Sequence, residues 1–233
     1  MRLLAVDTSG PVCGVAVMED DRVLSEYTSQ NRNTHSASLM PMVERSLASA
    51  GLSLEETDAL AVVTGPGSFT GVRIGVATVK ALAHGSGKPC IPVDALEAIA
   101  ESAGLRMWDG LVCPIQDARA GQVYGACFRG ETRLMEDQPL KLEEYLERVR
   151  ALGPGPCFFT GDGMSAHREA IRAAMGDRAV FAGAPFSYLR PSAAGAVALR
   201  RGAAVDWREL KETYLRPPNA EKNKKLLESM RHE

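Results

Sequence analysis

Residues 2–29 read "RLLAVDTSGPVCGVAVMEDDRVLSEYTS", and this stretch decides the fold. It holds three runs of strand composition, LLAVDTS (3–9), VCGVAVM (12–18) and VLSEYTS (23–29), with EDDR (19–22) as the second turn. Apolar and polar residues alternate imperfectly, the pattern of a mixed sheet with one better-buried face. The pattern returns about 110 residues later as LVCPIQD (111–117), a turn ARAG, then QVYGACF (122–128) and TRLMED (132–137). Each copy closes its first strand on an aspartate, Asp7 and Asp117. The copies share little sequence, so the repeat is one of structure.

Helices and strands follow each copy. In the first half, SASLMPMVERSLASAG (36–51) reads as a helix closed by Gly51, with Pro41 either kinking it or lying in its first turn. LAVV (60–63) is a buried strand; a helix after Gly67, a strand CIPVD (90–94) and a helix over 95–103 complete the half. In the second half, LEEYLERVRAL (142–152) is an amphipathic helix and CFFTGDG (157–163) is a strand running into a turn. SAHREAIRAAM (165–175) is a helix with Ser165 as N-cap, and PSAAGAVALRRGA (191–203) is a helix with Pro191 near its first position. Two copies of β-β-β-α-β-α predict an α/β fold of the two-lobed actin-like ATPase (ASKHA) class. In that class two aspartate-bearing turns face a cleft and point at phosphates and metal. The expected divisions are a first lobe over 1–105, a second over 106–217, and a polar, basic tail over 218–233 with one short amphipathic helix.

Apolar residues make up 45% of the 233 and charged residues 24%, an ordinary globular mix that excludes a disordered chain. A net charge of −2 argues against a stand-alone nucleic-acid binder, while leaving room for RNA held jointly with a more basic partner. The five cysteines are odd in number and lack a C-x-x-C pair, which reads as free thiols in a reducing compartment. The N-terminus enters a strand at once, without a signal-peptide pattern, and no apolar run approaches the roughly 18 residues of a membrane span. The expected location is cytoplasmic.

The segment VTGPGSFTGVRIGVATVKALAH (63–84) has the strand, glycine turn and helix of a phosphate loop. It fails both common patterns. A Walker loop needs Lys and Ser/Thr after the last Gly, where Val72 and Arg73 stand. A dinucleotide fingerprint needs its third Gly one residue earlier than Gly71. On a helix, Gly71, Gly75, Thr78, Val79 and Leu82 share one side, and Arg73, Lys80 and His84 form a narrow polar stripe. Two glycines inside a helix cost about 1–2 kcal/mol against alanine, so their missing side chains must be useful. Two readings are open: close packing within the lobe, or room for a second chain's helix.

The segments VDTS, NTHSASLMP, VTGPGSFTGVRIGVATVKALA, QDARAGQVY, GDG and YLRP occur in an order and at a spacing that resemble the TsaB (YeaZ) family over about residues 1–217. The resemblance implies a non-catalytic paralogue of TsaD, the transferase that places a threonylcarbamoyl group on the tRNA adenosine beside the anticodon. It implies binding and activation of TsaD, a TsaE-type P-loop ATPase joining the complex, self-association through the same lobe, and only indirect contact with tRNA. No cofactor is required on this reading.

The catalytic paralogue carries H-x-x-x-H on its first helix, where two imidazoles one turn apart can share a metal. Here His35 is present but Leu39 takes the second place, and His84, His167 and His232 are distant in sequence, so no metal site is expected. A vestigial nucleotide set would comprise Asp7, Thr8, Ser9, Asp117, Gly161, Asp162 and Gly163; the alternative is ordinary turn chemistry at the same residues. Arg119 could pair with Asp117 or Asp7. With the family's help, the glycines are read as room for a partner helix. The expected interface, for self-pairing and in competition for TsaD, is His35, Leu39, Met42, Val43, Leu47, Gly71, Val72, Gly75 and Val79. The rival functions are an active actin-fold ATPase or small-molecule kinase, resting on Asp7 and Asp117, and a glycoprotease-like metalloenzyme, which Leu39 opposes.

Overall fold

The computed structural model describes residues 1–30 and 34–216, so the basic tail lies outside the described residues. The first sheet contains β1 (Arg2–Asp7), β2 (Cys13–Glu19), β3 (Arg22–Ser29), β4 (Ala59–Gly65) and β5 (Cys90–Asp94) in the order β3-β2-β1-β4-β5. The second contains β6 (Leu111–Asp117), β7 (Gln122–Arg129), β8 (Thr132–Lys141), β9 (Cys157–Thr160) and β10 (Ala179–Phe181) in the order β8-β7-β6-β9-β10. In both, the first three strands form an antiparallel meander and the last two run parallel to the first. The duplication is therefore one of topology, strand for strand.

Helices α1 (His35–Ala50) and α2 (Phe69–Ser86) cover the outer face of the first sheet. Helices α3 (Ala95–Ser102) and α7 (Pro191–Arg201) fill the space between the sheets. Helices α4 (Leu142–Ala151), α5 (Asp162–Ala166) and α6 (Arg168–Met175) lie with the second sheet. Alternate residues of β1 serve two cores. Leu4 and Val6 pack with Leu39, Val43, Val72 and Val76 beneath α1 and α2. Leu3 and Ala5 pack with Ile99, Val197 and the second sheet's Val112 and Phe128. A strand buried on both faces has no solvent side to populate with polar residues, so β1 and β4 read as continuous apolar runs. The expected single better-buried face is corrected accordingly; in the first sheet only the edge strand β3 is substantially exposed.

Four further expectations change. Pro41 sits in the second turn of α1, exposed, and the helix continues through it to the left-handed Gly51. The 165–175 helix is two helices broken at His167, and Ser165 lies inside α5 instead of capping. Asp162 opens α5, so GDG starts a short helix and is not a free turn. The lobe boundary at 217 also fails. From Pro191 onward the chain returns to the first sheet: α7 packs on β1 and β2, Val205 exchanges both backbone hydrogen bonds with Cys90, Leu210 enters the outer core, and Thr213 N–H donates to the Thr64 carbonyl.

Candidate functional site

Both copies build the same turn at the end of their first strand. Ser9 N–H donates to Asp7 Oδ1 at 2.8 Å, and Arg119 N–H donates to Asp117 Oδ1, also at 2.8 Å. An aspartate accepting the N–H two residues on is an Asx turn, a local way to close a strand. The bond from Arg119 thus comes from its backbone; its guanidinium makes no ion pair with Asp117 or Asp7. His167 Nε2 stands 3.8 Å from Asp117.

The two turns approach each other across a crevice lined by Asp7, Gln116, Asp162, Tyr188 and neighbouring backbone. Burial pushes the Asp7 carboxyl up to about 6, against the pull of the Ser9 N–H. Burial, with the nearby Asp117 charge, pushes Asp162 to about 6 as well. Gln116 is buried, and its Oε1 has no hydrogen-bond partner among the described residues. Gln116 was absent from the candidate set; its place beside Asp117 in QDARAGQVY was the available signal. Gly161 (φ 95°) is required where it stands, since a Cβ there would overlap the Ile115 carbonyl. The space inside the crevice is about 10 Å³, enough for one water-sized sphere. Small-molecule sites enclose roughly 300–1,000 Å³. The structure therefore brings Asp7, Gln116, Gly161 and Asp162 around one crevice, while Asp117 stands beside Asp162 and outside the lining.

The Thr8 hydroxyl and the Ser9 backbone carbonyl hold α2. Thr8 Oγ1 donates to the Gly71 carbonyl at 2.7 Å, and Ser68 N–H donates to the Ser9 carbonyl at 2.7 Å. A Cβ on Gly67 would overlap the Ser9 carbonyl, one on Gly71 would overlap the Thr8 carbonyl, and one on Gly75 would stand 2.5 Å from Thr8 Oγ1. The glycines let the first turns of α2 lie directly on the β1–β2 turn.

Comparison with known proteins places this arrangement. A family model described as TsaD, tRNA N6-adenosine threonylcarbamoyltransferase, matches residues 22–202. The tRNA threonylcarbamoyladenosine biosynthesis protein TsaB of Bacillus subtilis is 35% identical over 225 residues, 95% of this chain and 96% of that one. The chain belongs to the TsaB family. A solved YeaZ structure from Pseudomonas aeruginosa superposes with a TM-score of 0.78 at 30% identity, covering 92% of this chain and 99% of that one. A ROK hexokinase from Thermus thermophilus, at 14% identity and TM-score 0.51 over 87% of this chain and 100% of its own, shares the fold alone. The two-lobed actin-like ATPase architecture is thereby established.

The family's motif positions have definite roles here. His35 Nε2 lies 3.0 Å from the Gly10 carbonyl, and since a carbonyl only accepts, that nitrogen carries the proton. The ring ties the start of α1 to the β1–β2 turn. Leu39, one turn on, is 1% exposed and packed in the outer core. The pair does not fit a metal, because the second position is an apolar core residue.

The reading of Gly71 and Gly75 as room for a partner helix is corrected: their space is filled by Thr8 of the same lobe. The side chains of Leu39, Val43, Leu47, Val72 and Val79 are also committed, each at most 8% exposed in the core beneath α1 and α2. Sequence periodicity identified the apolar stripe of each helix but assigned it to a partner, when the chain's own sheet takes it. Met42 is half-buried against the same core. Among the described residues, no helix is long and apolar enough to cross a membrane.

Proposed function

We propose that this chain is the non-catalytic scaffold that binds and activates a TsaD-type threonylcarbamoyltransferase in tRNA threonylcarbamoyladenosine synthesis, with a TsaE-type ATPase joining the assembly in the cytoplasm. The observation that carries the proposal is the near full-length relation to the Bacillus subtilis TsaB protein. The conversion of the paralogue's second metal-binding position into the core residue Leu39 supports it. The scaffold role needs no cofactor. A nucleotide at Asp7, Asp117 and Asp162 binds weakly at most, because the lobes would have to part and two carboxylates whose charge is already disfavoured would have to face phosphate.

The partner surface is the outward face of α1 and α2. There Met40, Glu44 and Ala48 of one helix, and Arg73, Ala77 and Ala81 of the other, are exposed. Small residues on both helices let another pair of helices approach closely, and Met40 supplies an adaptable apolar contact. Homodimerisation through this face would compete with TsaD binding, and tRNA contacts come through the partner. The test is reconstitution: transfer of the threonylcarbamoyl group to tRNA by the TsaD-type protein, with and without this chain. The proposal expects transfer to depend on the chain, and ATP turnover by the pure chain alone to be absent. Equal transfer without it would refute the proposal.

A further inference from the structure

Three of the five cysteines meet in the second lobe on three neighbouring strands: Cys113 on β6, Cys127 on β7 and Cys157 on β9. The register pairs Val112 with Phe128 on the antiparallel β6 and β7, so one step inward sets Cys113 opposite Cys127. Their sulfurs are 3.8 Å apart. Directly opposed residues of an antiparallel pair have Cα separations of about 4.5–5.5 Å, inside the 4.4–6.8 Å span of a disulfide. Closing the sulfurs to bonding distance takes a movement of roughly 2 Å.

On the other side, the parallel pairings Leu111–Cys157 and Cys113–Phe159 put Cys157 on the same sheet face as Cys113. Arg178 lies against Cys157, its Nη2 3.6 Å from the sulfur and its Nε donating to the Gly155 carbonyl at 3.0 Å. Arg178 is itself half-exposed, so Cys157 is the thiol next to the surface. The Cys113 thiol and the Arg178 guanidinium together bring Cys157 down to about 7, while burial pushes Cys113 well above 9. In the first lobe the surroundings act oppositely, and burial pushes Cys13 up to about 11.

We propose that Cys113, Cys127 and Cys157 form a peroxide-responsive modification site whose stable product is a Cys113–Cys127 cross-strand disulfide. The Cys157 thiolate attacks one oxygen of hydrogen peroxide, forming Cys157 sulfenic acid and releasing hydroxide. The Cys113 thiol attacks the sulfenyl sulfur; a Cys113–Cys157 disulfide forms and water leaves. Cys127 then attacks the Cys113 sulfur and expels Cys157 as thiolate, with protons returning to solvent and to Cys157. One peroxide is reduced to two waters and two thiols are oxidised. The last exchange runs toward Cys157 release because the lower-pKa thiol is the better leaving group. The oxidant must be small, since all three cysteines are buried.

The test treats the full chain with hydrogen peroxide at neutral pH, blocks remaining thiols, and maps tryptic peptides without reduction. The expected product links peptide 107–119 to peptide 120–129 with the loss of two hydrogens, and leaves Cys13 and Cys90 as free thiols. Cys157→Ser, and Cys157→Ala as the variant that leaves no polar group in the core, should slow linkage at least tenfold, because the burial that raises Cys113 leaves it little thiolate at neutral pH. In Cys127→Ala the reaction should stop with 107–119 linked to 151–168. Linkage at an unchanged rate without Cys157 would overturn the proposal. So would sulfinic acid at Cys157 with no linkage, or linkage only in denaturant.

Discussion

An alanine at Gly75 meets a side chain, Thr8 Oγ1 at 2.5 Å, with Val62 Cγ2 next at 3.4 Å. An alanine at Gly71 meets backbone, the Thr8 carbonyl oxygen. The difference predicts different rescue. Replacing a helix-interior glycine by alanine is favourable by roughly 1 kcal/mol on propensity alone. Overpacking costs about 1–3 kcal/mol. Gly75→Ala should therefore destabilise by up to about 2 kcal/mol. Thr8→Ala removes the hydroxyl and its bond to the Gly71 carbonyl, costing about 1 kcal/mol. In the double variant the new Cβ faces the Val62 methyl at 3.4 Å and the Cβ of residue 8 at 3.8 Å, both ordinary contacts, so the clash disappears. The two costs should then fall short of additivity by about 1–3 kcal/mol. Gly71→Ala should be more damaging, and Thr8→Ala should not rescue it, because the carbonyl stays. Urea unfolding of the single and double variants gives both cycles. Additive costs at Gly75 and Thr8 would refute the reasoning and return the glycines to a partner helix.

Three further outcomes are expected. Asp7, buried with a pKa raised from 3.8 to about 6, favours its protonated form on folding; its contribution is fully present below about 4 and is lost as pH rises through 6. The shift of roughly two units sets an upper bound near 3 kcal/mol, so Asp7→Asn should flatten the pH profile of unfolding free energy between 4 and 6 by up to that amount; an unchanged slope would contradict the burial argument. Glu26 accepts from Arg190 and from Ser192 N–H at the start of α7, and despite burial these bonds hold its pKa below 4.5. Glu26→Gln should cost about 1 kcal/mol at neutral pH and progressively less as pH falls below 4.5, read by thermal unfolding at both ends. Ala77→Arg, on the exposed face of α2, should leave the urea midpoint unchanged and weaken binding of the TsaD-type partner at least tenfold by calorimetry.

Much of the fold was legible because the repeat was written in strand composition and in one residue, the aspartate that closes each copy's first strand. Helix ends marked by Gly51 and Pro191 were legible for the same reason: each is a local conformational demand. What escaped the sequence was non-local. Which partner covers an apolar stripe depends on where the sheet lies, so Leu39, Val43 and Val79 were assigned to another chain. The purpose of Gly71 and Gly75 rested on the Thr8 turn, more than 60 residues away, whose hydroxyl and carbonyl occupy the space. The return of α7 to the first sheet was hidden because Gly195 and its alanine neighbours say only that the helix packs closely, not against what. At the crevice, Asp7 and Asp117 were found from position alone, whereas Gln116 carries no pattern of its own.

The central claim is the partnership. Affinity purification of this chain from its native cell at moderate salt, with mass spectrometry of the co-eluting proteins, tests it most directly. The account predicts recovery of a homologous chain bearing an intact H-x-x-x-H together with a P-loop ATPase. Recovery of the chain alone, with ATP hydrolysis by the purified protein, would contradict it and make Asp7 and Asp117 catalytic candidates.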